Sequence, residues 1–239
     1  MTRTSKLVLW DIDRTLLYVG GIDRRVYQEA FRAVVGREAT KLPAKGTGVT
    51  MPVAVRELLT ANDVSETEVE RFADLIVDQL PDLLEAHRDD LVRHGEVMPG
   101  AAEALAAVRR APDLIPTVVT GNLRRNAEIK LSALSLIEYV DVPLGGYASD
   151  SAHRPNLVGI AQSRVAELHG SLFDSSNTVI IGDSLQDVAT GLEGGAKVIG
   201  VTSGTTSARQ LADAGAHMVI PDLRDSESLL SLIRLVSSQ

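Results

Sequence analysis

Five short runs constrain this chain more than any other feature: LVLW (7–10), IPTVVT (115–120), TVII (178–181), KVIGV (197–201) and HMVI (217–220). Each is nearly continuous in its hydrophobicity, the pattern of a strand covered on both faces in a parallel sheet. Parallel strands need long crossovers. Helix-length segments stand ready for that role at roughly 100–111, 123–135, 156–169, 184–194, 207–214 and 226–236. Strand and helix therefore alternate from about residue 97 onward, which predicts an α/β fold with a doubly wound, Rossmann-like parallel sheet.

The first strand belongs to that sheet, yet the next clear one arrives only near residue 115. Residues 18–94 instead show helical periodicity. In SETEVERFADLIVDQLPDLLEAHRDDLV, Ser65 and Glu68 form a capping-box pattern. Val69, Phe72, Ile76, Leu80 and Leu83 then fall on one helix face, and Pro81 is predicted to kink or divide the helix. The expected organisation is a core from residues 1–17 and 95–239 with a helical insert over 18–94.

Composition narrows the partners. A net charge of −8 argues against nucleic acid, because phosphate backbones demand a positive surface. A local positive pocket for a small anion remains compatible with it. The absence of cysteine excludes disulfides, thiolate metal sites and cysteine nucleophiles. No signal-peptide h-region follows MTRTSK, and no apolar run reaches bilayer length. The expectation is a soluble cytoplasmic protein with no membrane partner; no sequence signal bears on its oligomeric state.

Chemistry is concentrated where strands end. LVLW runs straight into Asp11 and Asp13, and side chains two apart on an extended chain point the same way. Two like charges so close raise one pKa or recruit a cation, and Mg²⁺ suits hard oxygen ligands. The strand in VIIGDSLQDVATG ends at Asp183 with Asp187 four residues on; the alternative reading makes these acids a helix cap. TVVTGN ends in Thr120 before a helix, a natural place for an anion. In SAHRPNLVGIA, Arg154 precedes Pro155, which fixes the backbone at the next helix start. Taken singly, the acid pairs read equally well as turn or cap residues, Thr120 reads better as part of a capping turn, and Arg154 as a solvated surface group. Three strand ends delivering an acid or hydroxyl, followed by a fixed cation, read together as a site.

At these residues the chain resembles the haloacid dehalogenase (HAD) superfamily. DIDRT matches its Asp-x-Asp-x-Thr motif at Asp11, Asp13 and Thr15; VVTGN matches the second motif at Thr120; GDSLQD matches the fourth at Asp183 and Asp187. The third motif is usually a Lys, and here Arg154 keeps the charge with a different geometry. Lys130 is the other candidate, but its mid-helix position reads as a surface residue. Position 14 is Arg where the family usually has Gly. The insert resembles the C1 cap of phosphoglycolate-phosphatase-like members.

The resemblance implies a Mg²⁺-dependent phosphohydrolase acting on a small phosphorylated metabolite. Asp11 would be the nucleophile, Asp13 the general acid and base, and Thr120 and Arg154 the phosphoryl holders. Asp11, the backbone carbonyl of Asp13, Asp183 and Asp187 would serve the metal. Substrate choice would lie in the insert, where Arg24, Arg25, Lys45 and Arg56 read mainly as a solvated face and the Gly-rich KGTGVT (45–50) as a loop facing the site. Asp13 disfavours a dehalogenase, and nothing around Lys45 supports a phosphonatase. A phosphomutase shares all four motifs. A phosphoacceptor or non-catalytic phosphate binder is the reading from another class.

Overall fold

The computed structural model describes residues 5–43 and 48–237. Its main sheet has six parallel strands: β1 (Lys6–Trp10), β4 (Leu114–Thr120), β5 (Gly146–Tyr147), β6 (Thr178–Gly182), β7 (Lys197–Val201) and β8 (Met218–Ile220), in the order β5-β4-β1-β6-β7-β8. All five anticipated strands are present. The two-residue β5 is additional, too short to leave a periodic signal.

Alternate residues of each strand face opposite sides, and both sides are covered. Val8, Trp10, Val118, Ile181 and Ile199 share one core with helices α5 (Ala101–Arg110), α6 (Arg124–Ala133) and α10 (Ser226–Val236). Leu7, Leu9, Val119, Ile180 and Val198 pack against α7 (Asn156–His169), α8 (Leu185–Gly194) and α9 (Ala208–Asp213). This double burial is why the strand sequences lack polar alternation.

The insert comprises α1 (Ile22–Val35), α2 (Met51–Ala61), α3 (Glu66–Ala86) and α4 (Arg88–His94). It is entered and left through a small antiparallel ribbon, β2 (Leu17–Tyr18) against β3 (Glu96–Val97). Apolar residues of α1 to α4, among them Phe31, Leu58, Ile76 and Leu91, join the same core as the α6 face of the sheet.

Two local expectations for α3 need correction. Pro81 does not divide it; the helix continues to Ala86 and breaks at His87. Pro81 removes one donor, and the buried face of Val69, Ala73, Ile76, Leu80 and Leu84 provides enough packing to carry the helix past it. Nor does Ser65 close a capping box: its hydroxyl donates to the Glu68 carboxylate at 2.8 Å instead of accepting a backbone N–H.

Candidate active site

β1 is the centre of the sheet, and the chain builds β4 and β5 on one side before crossing to β6 on the other. That reversal opens a crevice at the carboxyl ends of the strands, where open α/β sheets receive ligands. Register aligns the ends, since Trp10 pairs with Val118 on one side and with Ile181 on the other. Asp11, Thr120 and Asp183 therefore emerge side by side. Asp11, Asp13, Thr120, Arg154 and Asp183 all line one cavity of ≈ 180 Å³, with the insert supplying its far wall.

Thr15, fully buried, ties the acids together through contacts to Asp11 Oδ2 at 3.3 Å and Asp183 Oδ1 at 3.2 Å. Arg154 reaches in from the start of α7 and donates to Asp11 Oδ1 at 2.7 Å, to Asp187 Oδ1 and to the Gly48 carbonyl. Asp187 is engaged on its other oxygen too, accepting from the Ser184 N–H at 2.9 Å and hydroxyl at 2.7 Å in a true capping box on α8. Capping and site-building thus coincide in Asp187, which does not line the cavity itself but stands behind Arg154.

Asp13 lines the same cavity but has different partners. Lys130 Nζ donates to its two oxygens at 2.9 and 3.1 Å, to Asp23 Oδ2 at 2.7 Å and to Asn122 Oδ1 at 2.9 Å. The Asn122 amide adds a bond to Asp13 Oδ2 at 2.7 Å and one to Thr120 Oγ1 at 2.8 Å. Lys130 is 0% exposed, so the reading of it as a surface residue is wrong. Its mid-helix position on α6 faces the insert, and Asp23 on α1 supplies a carboxylate that sequence spacing could not reveal. Asn122 and Asp23 are site residues that the sequence reading missed. The strand-exit position of Asn122, two after Thr120, was a usable signal for the first; no local signal marked the second.

The insert residues divide. Arg24 lines the cavity and donates to the Pro43 carbonyl at 3.0 Å. Arg25 pairs with Asp90 and Arg56 with Glu70, both on the solvated side, as expected. Gly48 and Val49 of KGTGVT line the cavity; Lys45 lies outside the described residues. The linker meets the strand end closely, with Met51 N–H donating to the Gly121 carbonyl at 2.8 Å. A Cβ at Gly121 would stand 2.5 Å from the Val49 carbonyl oxygen, so this approach requires glycine. The SGTTS loop (203–207) also borders the site: Ser203 donates to the Arg14 carbonyl at 2.7 Å. Arg14 itself holds φ +67°, left-handed backbone that costs an L-residue of this kind about 1–2 kcal/mol.

The electrostatics follow from crowding. Burial, and then the neighbouring Asp187, pushes the Asp11 carboxyl well above its usual range, with Arg154 opposing. Burial and Asp187 push Asp183 up to about 7. Burial draws Lys130 down, but Asp13 and Asp23 outweigh it and hold the ammonium above its ordinary value. Oxygens of Asp11, Asp183 and Asp187 lie within 4.8 Å of one another. Asp183 Oδ2 accepts no hydrogen bond from the described residues. Hard oxygen donors with excess negative charge fit a divalent cation of the Mg²⁺ type. Asp183 Oδ2 is open to it; both oxygens of Asp11 already accept, from Arg154 and Thr15, and both of Asp187, from Arg154 and Ser184.

Sheet order, acid-bearing strand ends and an inserted helical wall define a Rossmann-like α/β protein with an acidic site at its strand ends. The chain belongs to the haloacid dehalogenase-like hydrolase family, whose pattern matches residues 8–191. Over 129 residues it is 30% identical to "Probable phosphatase IndB" of Dickeya dadantii (strain 3937). That alignment covers 53% of this chain and about half, 52%, of the relative's length. Among solved structures, a hydrolase from Pseudomonas syringae superposes with TM-score 0.68 at 20% identity, covering 96% of this chain and 99% of that one. A "predicted phosphatase" from Clostridium acetobutylicum superposes equally well, TM-score 0.68 at 16% identity, covering 95% and 99%. At such identities these two establish the shared fold.

Proposed function

We propose that this chain is a Mg²⁺-dependent phosphatase that hydrolyses a small phosphorylated metabolite through an aspartyl-phosphate. The observation that carries the reading is Asp11: a buried carboxylate at the end of the central strand, held by Arg154 and flanked by Thr120 and Asp183. Asp11 Oδ attacks phosphorus, the bond to the leaving alkoxide breaks, and the phosphoryl group passes to the carboxylate. Asp13 gives its proton to the alkoxide, then takes one from the water that cleaves the acyl phosphate, which regenerates Asp11 and releases inorganic phosphate. The Asp13 carboxylate is held by Lys130 and Asn122, so acting as the acid requires it to take up a proton from solvent and to turn from those donors toward the leaving oxygen.

Arg154, Thr120 and the backbone N–H groups following the strand ends would hold phosphoryl oxygens, with Arg154 shifting its grip from the Asp11 carboxylate as the phosphoryl group arrives. Asp11, the Asp13 carbonyl and Asp183 would hold Mg²⁺, with Asp187 behind them anchoring Arg154. When bound, the ion would offset repulsion between carboxylate and phosphate and stabilise the charge that spreads in the transition state. The helical insert over 18–94 would serve as the cap that closes the cavity and reads the leaving group.

The direct test is phosphate release from an aryl phosphate with and without Mg²⁺, followed by a panel of phosphorylated metabolites. A sugar phosphate isomerised without phosphate release would turn the reading to a mutase. Absence of turnover with every phosphomonoester and no phosphate bound would leave neither.

A further inference from the structure

We propose that Arg14 and Arg24 form a second anion subsite in the cavity, so that the preferred substrates carry a carboxylate or phosphate besides the phosphoryl group that is transferred. The inference rests on the phosphatase reading and names its substrate class. Among the described residues four cations line the cavity, and two are already paired: Lys130 with Asp13 and Asp23, Arg154 with Asp11 and Asp187.

Arg14 and Arg24 are different. Among the described residues no carboxylate pairs with either. The Arg14 guanidinium sits 4.6 Å from the Tyr18 ring centroid and makes no side-chain hydrogen bond to a described residue. Arg24 spends one N–H on the Pro43 carbonyl and has no other described acceptor.

Most arginines of this chain, which has 8 more acids than bases, find carboxylates, as Arg125 does with Asp82 and Arg224 with Asp222; among the described residues the exposed Arg37 and Arg110 also lack an ion pair. Neither arginine is in ion-pair contact with a carboxylate of the described residues, although the Arg14 charge acts on Asp183, and both line the cavity with N–H donors to offer an anion. They also come from the two sides of the molecule. Arg14 belongs to the turn after the central strand and Arg24 to the first insert helix, with the ribbon strand at Leu17–Tyr18 between them. An anion held by both would bridge core and insert while the phosphoryl group lies toward Asp11 and Thr120. The left-handed φ of Arg14 points the same way, because glycine would meet that backbone without strain but could not supply the guanidinium.

The test compares substrates that differ only at the second group: an O-phosphorylated 2-hydroxy acid against its primary amide, and a short diol bisphosphate against the monophosphate. The protein should favour the anionic member of at least one pair by roughly tenfold or more in kcat/KM, the effect of hydrogen bonds to a charged group. Arg14→Gln and Arg24→Gln should each reduce that ratio by about tenfold. Equal turnover within both pairs, or a preference that survives both substitutions, overturns the subsite. The matching non-hydrolysable phosphonates are measured by calorimetry in parallel. If no ester is turned over, a calorimetric preference for the anionic member keeps the subsite while the phosphatase reading falls, and no preference overturns the subsite.

Discussion

Two buried cations flank the Asp11–Asp13 pair, and they are held in different ways. Arg154 is clasped by Asp11 and Asp187, both on the α/β core, and its companion acid is fixed in the capping box of α8. Lys130 also starts from the core, on α6, but one of its partners is Asp23 on the first helix of the insert. The first cation takes both of its carboxylates from the core and meets the insert through a neutral partner, the Gly48 carbonyl. The second spans the ribbon through which the insert joins the core, so moving the insert must stretch or break one of its contacts. Arg154 is suited to gripping a reacting group, and Lys130 to tying the position of the insert to that of Asp13.

The largest effect should come from the acid on the Arg154 side. Asp11→Asn keeps the volume and removes the nucleophile, so kcat should fall by roughly four powers of ten or more while the circular dichroism spectrum is retained. Near-normal turnover by that variant would end the aspartyl-phosphate reading. Next comes Arg154→Gln, which removes a charge aimed at the phosphoryl group and should lower kcat by about 10²–10³-fold. A matching loss with Lys130→Gln on both kcat and KM would erase the distinction drawn between the two cations.

Lys130 should register mainly in stability. Lys130→Met leaves Asp13 and Asp23 facing each other without their cation. The cost should be about 2–4 kcal/mol in urea unfolding, at or below the ~3–5 kcal/mol of a fully enclosed broken pair because those side chains are 39% and 26% exposed. Adding Asp23→Leu should recover part of it, since the second unpaired charge is then gone. If the double variant is no more stable than the single, Asp23 is not the partner that matters.

The smallest effect is a pH dependence of metal binding. Asp183 is raised to about 7 in the folded, metal-free protein, above the ordinary carboxylate value near 3.8 that it regains on unfolding. Between those values the native state holds a proton the unfolded chain has released, so this group's contribution to stability declines as pH rises through that window. Mg²⁺ needs the deprotonated carboxylate. The rise in melting temperature on adding Mg²⁺ should therefore grow between about pH 5 and pH 7.5. A shift independent of pH would separate Asp183 from the ion.

Local pattern carried much of this. The strands from Leu7 to Ile220 were legible because burial on two faces leaves a continuous apolar run, and their acidic ends were legible because a carboxylate directly after such a run is conspicuous. The helical character of the insert was equally visible in the spacing from Val69 to Leu80. Errors arose where a local rule met tertiary packing. Pro81 lost to the buried face of its helix, and Ser65 took a side-chain partner in place of a backbone one.

The sequence by itself determined the layered α/β architecture and placed acids and a hydroxyl at three strand ends, because each of those features is written within a dozen neighbouring residues. Only the tertiary structure decided which charges meet. Lys130 and Asp13 stand 117 positions apart, Lys130 and Asp23 107, and Arg154 and Asp11 143. No periodicity encodes such a pairing. Folding brings these charges together where water is largely excluded, and there each ion's partners, rather than its place along a helix or turn, settle what it can do.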